Sequence, residues 1–455
     1  MKYLSYLLLS FISCSCSTIP DQSYHKIQCA IDDNCTEAEL DAYSKPVTNL
    51  GIVNGWSADS ILNKQRLEGK GNKFYVTPFK LQYLEYDESG SKLEETRQID
   101  VINRAIATSD KPVYLVVYIH GWHNNASIDE KNLSLDTTGF PKLLARRSYQ
   151  NPNMNVVGVY IGWRGEKYKY SPATLLSIKD RAKVADVIGN HGELRNDLVT
   201  LVNNVQNSTH SGYSLIIGHS LGGRLLSRTF MKDLEKTKSV EDWPLGQRSL
   251  LVTLNAAIGA DAFDGVFKNM PGFGQNIERP LWLNLTSKDD DATSKLFPAA
   301  RFIGKNVSDN PNSGKHQTVG HYLPYLSHEV TVIYGLDQKL ECNFVYPDSI
   351  LKNNTPWFKI PSRSPYTCGT RHLYEYTDFP VESRYYTTIL RPLFENPDKP
   401  LGFMWNFRAD KSVIDYSEAE AKINKSSGTH NAFVQTTLGR MLDDMLFTAP
   451  KKSSN

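Results

Sequence analysis

Runs of apolar residues in the middle of the chain predict strands that are buried on both faces. Residues 113–119 (VYLVVYI) form the clearest run. A strand covered on both sides has no polar face, so its apolar residues follow one another without alternation. Further runs of this kind lie at 155–161, 215–217, 249–254, 281–285 and 402–407.

Apolar residues at helical spacing separate these runs. Ile99, Ile102 and Ile106 share one stripe, residues 181–205 carry one long helical pattern, and another pattern closes the chain at 438–446. This alternation of strands and helices predicts the α/β class, with a mostly parallel central sheet flanked by helices. In such a sheet, ligands bind beyond the carboxyl ends of the strands.

The first strand is expected at an edge of the sheet. Residues 72–86 alternate between apolar and polar, and a turn follows at 87–91. Alternation indicates a strand with one face buried and the other exposed. We therefore expect an antiparallel edge unit that leads into a helix at 98–106.

A glycine-rich turn at 218–223 (GHSLGG) joins a predicted strand to a predicted helix. Its first five residues match G-x-S-x-G, the nucleophile elbow, in which a serine adopts a strained backbone conformation between closely packed neighbours. The strain presents the Ser220 hydroxyl at the end of the strand, and the helix points its N-terminal amides at the same place. The alternative is a glycine-rich turn that carries a solvated serine.

Polar residues follow two other predicted strands at the same edge of the sheet. His120, Gly121 and Trp122 come directly after the run at 113–119, and the aspartates 289–291 come shortly after the run at 281–285. His120 is expected to order its loop by hydrogen bonds rather than to act as a base. One aspartate would orient a histidine and stabilise its charge, although the three together could also bind calcium or form a solvated turn.

The histidine that such an aspartate needs is expected near the end of the chain. His430 lies in SGTHNAF, between the last predicted strand and the closing helix. Its position completes the order Ser, Asp, His, which is the order of the triad in proteins that carry a nucleophile elbow. We therefore predict that His430 is the general base.

With His120-Gly121-Trp122, the elbow, the segment SKDDDAT at 287–293 and the late GTHN, the chain resembles the α/β-hydrolase superfamily. It is most similar to bacterial serine esterases and lipases with an H-G-W oxyanion loop, and the resemblance covers about residues 111–446. It implies that Asp290 is the acid, because Asp290 is three residues after Ser287. Asp291 departs from the pattern, which usually has an aromatic residue there.

The resemblance also implies the remaining site residues. The backbone amides of Trp122 and Leu221 would form the oxyanion hole, and Gly121 would let the chain approach the substrate oxygen. A recurring element, GHYLPYLSH at 320–328, contains His321 and His328, which we expect to line the pocket or to satisfy core hydrogen bonds.

The start of the chain predicts export and a lipid anchor. Residues 1–13 combine a basic start, a short apolar core and small residues, as in a secretory signal. Cys14 follows in a context that resembles the lipobox of bacterial lipoproteins, with Cys16 as the alternative site of acylation and an ordinary cleaved signal as the alternative reading. We expect residues 14–71 to form a tether and N-terminal extension, polar from Ser15 to about Ser23, and residues 72–455 to form the catalytic domain.

The remaining cysteines suggest disulfides, as is usual in exported proteins. Sequence order favours Cys29–Cys35 and Cys342–Cys368, and other pairings stay open. The second pair falls in the aromatic-rich segment 336–400. We expect this segment to be a disulfide-pinned insertion before the last strand, either a lid over the site or a decoration of the sheet edge.

The composition of the chain mainly excludes certain partners and sites. The chain has 455 residues and a net charge of only +2, so nothing indicates a nucleic-acid partner. No Cys/His spacing matches a zinc site, and no cofactor or metal is expected.

Together these features predict a membrane-anchored serine hydrolase, on the periplasmic face or the cell surface, that cleaves a small-molecule or lipid carboxylic ester. The alternatives are a thioesterase, amidase or peptidase with the same machinery, a calcium-dependent hydrolase, and a non-catalytic lipid-anchored binding protein on a hydrolase fold.

Overall fold

The structure is a computed structural model. It describes residues 19, 21–25, 36, 38, 79–93, 97–127, 139–167, 174–269, 279–298, 314–334, 371–377, 383–392, 402–409, 413–414, 430 and 436–447.

Strands and helices alternate along the described chain up to residue 287. The strands are β1 (Phe79–Glu85), β2 (Val113–Ile119), β3 (Asn155–Gly162), β4 (Tyr213–His219), β5 (Ser249–Leu254), β6 (Trp282–Ser287), β7 (His328–Tyr334), β8 (Arg371–Thr377), β9 (Ser383–Pro392) and β10 (Met404–Ala409). The helices are α1 (Arg97–Ala107), α2 (Phe140–Gln150), α3 (Thr174–His191), α4 (Glu193–Gln206), α5 (Leu221–Lys236), α6 (Asp264–Asn269) and α7 (Thr436–Phe447). Short helical turns lie at Val240–Asp242, Ala260–Phe263, Ala292–Leu296 and Leu323–Tyr325.

Within the described residues, these strands form one ten-stranded sheet in the order β1-β3-β2-β4-β5-β6-β10-β7-β9-β8. Every neighbouring pair from β1 to β7 in that order is parallel. The two remaining pairs, β7 with β9 and β9 with β8, are antiparallel. The expected α/β class and mostly parallel sheet are therefore confirmed.

The expectation of an antiparallel unit at the start of the sheet is wrong. β1 pairs in parallel with β3, from Phe79 opposite Val156 to Glu85 opposite Gly162. Helix α1 carries the chain from the end of β1 back to the start of β2, which is the crossover that parallel strands require. β1 does lie at an edge of the described sheet, as expected, although Gln82 on its polar face is only 9% exposed.

Helices cover both faces of the central strands. All seven residues of β2 are buried. Successive side chains of a strand point to opposite faces, and on one face Tyr118 contacts Phe140 of α2 while Tyr114 binds Asp443 of α7. Helices α1, α3, α4 and α5 contact one another in a layer of their own. Because helices cover both faces of the sheet, the central strands consist of unbroken runs of apolar residues.

The long helical pattern at 181–205 is two helices rather than one. Gly192 separates α3 from α4 and has a φ of 101°, in the left-handed region that glycine adopts without steric cost. Hydrophobic periodicity alone did not reveal the break, because it continues across the turn.

Part of the expected N-terminal tether packs against the domain. Ile19 is 6% exposed and Ser23 is 8% exposed. The Ser23 hydroxyl donates to Glu85 Oε2 at 2.7 Å, and the backbone amides of Tyr24 and His25 donate to the same carboxylate at 2.9 and 3.0 Å. Glu85 is buried at the carboxyl end of β1, and a buried carboxylate requires such donors. Residues 19 and 21–25 therefore belong to the folded domain.

The segment 336–400 contributes β8 and β9 to the sheet, beyond β7. This position agrees with the decoration of a sheet edge. The proposed disulfide cysteines Cys29, Cys35, Cys342 and Cys368, and the candidate acylation sites Cys14 and Cys16, lie outside the described residues.

A buried ion pair ties the closing helix to the rest of the fold. Arg147 of α2 donates to Asp443 of α7 at 2.8 Å, and their side chains are 2% and 9% exposed. The Tyr114 hydroxyl donates to the other oxygen of Asp443 at 2.5 Å. Helix α7 is thereby attached to both α2 and β2.

Replacing Asp443 with alanine is expected to lower the free energy of unfolding by about 3–5 kcal/mol, because it leaves Arg147 buried without a counter-charge. Chemical denaturation measures the change. The control is Lys295→Ala, which removes an ion pair with Asp291 whose side chains are 74% and 71% exposed; it should change stability by under about 1 kcal/mol. Equal effects of the two variants would contradict the assignment.

Candidate active site

Ser220 occupies a strained turn between β4 and α5. Its φ is 57° and its ψ is −119°, a conformation that costs free energy for a residue with a side chain. Backbone hydrogen bonds hold it there: its amide donates to Leu254 at 3.0 Å, and its carbonyl accepts from Arg224 at 3.1 Å and Ala257 at 3.0 Å. The structure has the strand, sharp turn and helix that the sequence pattern predicts.

Glycines let neighbouring chain segments close around this serine. A Cβ on Gly222 would lie 2.2 Å from the carbonyl oxygen of Ile119, and a Cβ on Gly121 would lie 2.7 Å from the Cβ of Ser220. Both distances are far below van der Waals contact, so any larger residue would displace the turn. Because both positions are glycine, the loop after β2 can lie directly against Ser220.

The structure brings together the three side chains that the sequence singled out. His430 Nε2 lies 2.9 Å from Ser220 Oγ. His430 Nδ1 lies 2.9 Å from Asp290 Oδ2. Because a neutral imidazole has one N–H, the carboxylate fixes that hydrogen on Nδ1 and leaves Nε2 to accept from the hydroxyl.

Asp290 is fully buried, with 0% of its surface exposed. Burial opposes its charged form, but attraction to His430 and hydrogen bonds outweigh burial, so the pKa of Asp290 lies below its ordinary value. The donors are the Ala292 amide, at 2.9 Å from Oδ1, and the Thr293 hydroxyl, which binds Oδ2. A buried carboxylate that faces an imidazole can hold it in one orientation and balance its positive charge.

The carboxylate of Asp291 faces Lys295 rather than His430. Asp291 forms an exposed ion pair with Lys295 at 2.7 Å. The Asp289 amide donates to Ser287 Oγ at 3.3 Å. Of the three consecutive aspartates, Asp290 is therefore the one in contact with His430.

His321 extends the hydrogen-bond chain from Asp290. Thr293 Oγ1 gives its hydrogen to Asp290, so it accepts from His321 Nε2 at 3.0 Å. His328 lies elsewhere, buried against the rings of Trp405 and Phe407 and 3.0 Å from the Ser327 hydroxyl. The 320–328 element thus supports the aspartate at one end and packs in the core at the other.

His120 is buried in the loop after β2 and organises that loop. Its Nε2 accepts from the backbone amide of Trp163 at 3.2 Å, and its Nδ1 therefore donates to the Gly121 carbonyl at 2.9 Å. Its ring also stacks on the Trp163 indole, with an interplanar angle of 4°. Burial lowers the pKa of His120 to about 4, so the ring is neutral near neutral pH.

Trp122 and Leu221 place backbone amides beside Ser220. Leu221 is the first residue of α5, and Trp122 follows the glycine that packs on the Ser220 side chain. In the described part of the chain, neither amide donates a hydrogen bond to another residue. The Trp122 indole lies to the side, where Nε1 donates to Ser177 Oγ at 3.3 Å.

Sequence reasoning missed His219 and Asn255. His219 Nε2 donates to the backbone carbonyl of His430 at 2.6 Å, and Asn255 Nδ2 donates to the same carbonyl at 3.0 Å. His219 lies within the elbow motif, so a signal was present. Asn255 follows β5 with a φ of 46°, and nothing in its local sequence indicated a role in the site.

Among the described residues, no group of three or more His, Cys, Asp and Glu side chains is placed to hold a metal ion. The helices of that same part of the chain include none with the length and apolar character needed to cross a membrane.

The buried histidines predict a stability that falls in mild acid. Burial lowers the pKa of His120 to about 4 and that of His328 to about 3. Below about pH 6.5 the unfolded chain binds protons that the folded protein excludes, so stability falls as the pH drops towards the folded pKa values. Each histidine should lower the free energy of unfolding at pH 5 by on the order of 2 kcal/mol relative to pH 7.

The measurement is the free energy of unfolding of wild type, His120→Gln and His328→Gln at pH 7 and pH 5. Each variant should lose less stability than wild type over that interval. Identical losses in all three proteins would show that these histidines bind protons in the folded state.

No family model, curated protein or solved structure matches this chain. The functional assignment therefore rests on the geometry around Ser220.

Proposed function

We propose that this protein is a serine hydrolase with an α/β-hydrolase fold that cleaves carboxylic esters through an acyl-enzyme. The observation that supports this most strongly is the chain of contacts from Ser220 Oγ through His430 to the buried Asp290, with 2.9 Å at each step. A nucleophile, a base and an orienting acid within hydrogen-bond reach are the arrangement that nucleophilic catalysis requires.

The first step forms the acyl-enzyme. Ser220 Oγ attacks the ester carbonyl carbon while its proton passes to His430 Nε2, and Asp290 stabilises the imidazolium. The amides of Trp122 and Leu221 bind the oxyanion. When the tetrahedral intermediate collapses, the bond to the alcohol breaks and the alcohol takes the proton from His430.

The second step releases the acid. A water molecule gives a proton to His430 Nε2 and attacks the acyl carbon, and Ser220 recovers its proton when the intermediate collapses. Fixed amides aimed at the oxyanion need no reorganisation during either step, which makes them effective in stabilising both transition states.

The placement of the residues supports a hydrolase fold. Ser220 follows β4, the loop of His120 follows β2 and Asp290 follows β6, so all lie at the carboxyl edge of the sheet, where α/β proteins bind ligands. The order Ser220, Asp290, His430 along the chain is the order of the superfamily that the sequence resembles.

Exposed leucines beside the site favour an apolar acyl group. Leu296 and Leu323 are 51% and 62% exposed. They lie on the segments that meet where Thr293 binds His321. These two exposed apolar side chains near Asp290 support an ester with an apolar acyl chain, either a small molecule or a lipid, as the substrate.

Ser220→Ala is expected to abolish both p-nitrophenyl ester hydrolysis and labelling by a fluorophosphonate probe, because it removes the nucleophile. Asp290→Asn should lower kcat by about 10⁴-fold, since the amide does not stabilise the charged imidazole. Steady-state kinetics and gel fluorescence measure the two effects.

Asp291→Asn is the matched control for Asp290→Asn. Its side chain is 71% exposed and faces Lys295, so kcat should stay within about twofold. Hydrolysis and labelling that survive in Ser220→Ala would refute the assignment. A folded wild-type protein that is not labelled and does not turn over esters would indicate the non-catalytic binding protein instead.

The proposed enzyme is also an exported lipoprotein acylated on Cys14, with Cys16 as the alternative. The lipobox-like sequence is the support for this part. The docking of residues 19 and 21–25 on the domain agrees with it, since a segment that leads from an anchor to a catalytic domain has to join the two.

Metabolic labelling with an alkynyl fatty acid in a bacterial host tests the anchor. Cys14→Ser should lose the label and leave the membrane fraction, while Cys16→Ser should retain both. The reverse pattern would assign the acylation to Cys16, and an unlabelled wild-type protein would contradict the lipoprotein proposal.

A further inference from the structure

The backbone carbonyl of His430 accepts two side-chain hydrogen bonds within the described structure. His219 Nε2 donates at 2.6 Å and Asn255 Nδ2 donates at 3.0 Å. Both donors are buried, with 2% and 1% of their surface exposed. A buried amide and a buried imidazole that converge on one carbonyl oxygen hold that backbone position from two directions.

The donors are themselves attached to the central strands. His219 is the last residue of β4, next to Ser220, and is paired with Leu254 of β5. Asn255 follows β5, its amide donates to Leu285 at 2.9 Å, and its Oδ1 accepts from the Ser287 amide at 2.9 Å. The carbonyl of His430 is thus linked to the strand that presents Ser220 and to the strand that precedes Asp290.

His219 is suited to this role because it stays neutral. Burial, followed by the nearby His430, lowers the pKa of His219 to about 3. Its single N–H is directed at the His430 carbonyl. The two rings are 4.9 Å apart, so a neutral His219 also avoids repulsion when His430 carries a proton.

We infer that His219 and Asn255 are positioning residues that hold His430 at hydrogen-bond distance from Ser220 and Asp290 together. This inference rests on the proposed hydrolase function. Ser220 and Asp290 lie on different strand ends, and the base has to keep 2.9 Å contacts with both. A shift of about 1 Å in such a group can cost roughly 100-fold in rate.

The test compares His219→Ala, His219→Gln and Asn255→Gly in the full-length protein. Glutamine keeps an N–H donor, and glycine tolerates the positive φ of Asn255. We expect His219→Ala and Asn255→Gly to lower kcat by about 10- to 100-fold with KM within about twofold. His219→Gln should recover most of the loss, which a purely space-filling role would not produce.

The double variant His219→Ala/Asn255→Gly gives an independent reading. Both donors act on the same carbonyl. The fold-reduction in kcat of the double variant should therefore be smaller than the product of the fold-reductions of the two single variants. Losses that multiply would show that the residues act separately, and would overturn the inference. Thermal melting checks that each variant is folded, and His219→Met replaces His219→Ala if the alanine protein does not fold.

Ser220→Ala, measured alongside, separates the two proposals. If ester turnover does not depend on Ser220, the proposed function fails. If turnover depends on Ser220 while His219→Ala and Asn255→Gly keep kcat within about twofold of wild type, the hydrolase stands and the positioning role is refuted.

Discussion

The strained turn at Ser220 is the constraint around which the surrounding structure is built. A residue with a φ of 57° stays in that conformation only when its neighbours determine it. The turn is held by backbone bonds to Leu254, Arg224 and Ala257. It also depends on Gly222, since a side chain there would meet the carbonyl of Ile119. These contacts involve the ends of three adjacent strands, so the position of the serine is a property of the sheet.

Neutral histidines are a second common feature of this edge of the sheet. His120, His219 and His328 are buried and have pKa values lowered by burial. A neutral imidazole offers one donor and one acceptor without the cost of a buried charge, and His120 uses both, between the Trp163 amide and the Gly121 carbonyl. His430 differs from them, because it contacts the carboxylate of Asp290. The histidine proposed to gain a proton is thus the one with a counter-charge.

Local sequence patterns foretold much of the sheet and the residues that meet at Ser220, because buried strands and a glycine-rich turn leave clear marks. The patterns gave wrong or incomplete predictions where contacts between distant parts of the chain determine the structure. β1 lies at an edge of the sheet, as its pattern indicated, but it pairs in parallel with β3 rather than in an antiparallel unit. Gly192 was hidden inside continuous apolar periodicity. Asn255 carries no local mark of a role, since its contact with His430 joins residues 175 positions apart.

The docking of residues 19 and 21–25 on the domain affects how a substrate would reach the site. Ile19 lies three residues after Cys16 and five after Cys14, and an extended chain covers at most about 3.5 Å per residue. Ile19 binds Lys167 and Arg164, in the loop whose Gly165 packs on Gly121 beside Ser220. A lipid on either cysteine would keep this edge of the sheet within roughly 20 Å of the bilayer. Confinement to this layer would keep the serine close to lipid substrates that leave the leaflet, so they would not have to diffuse through bulk solution to reach it.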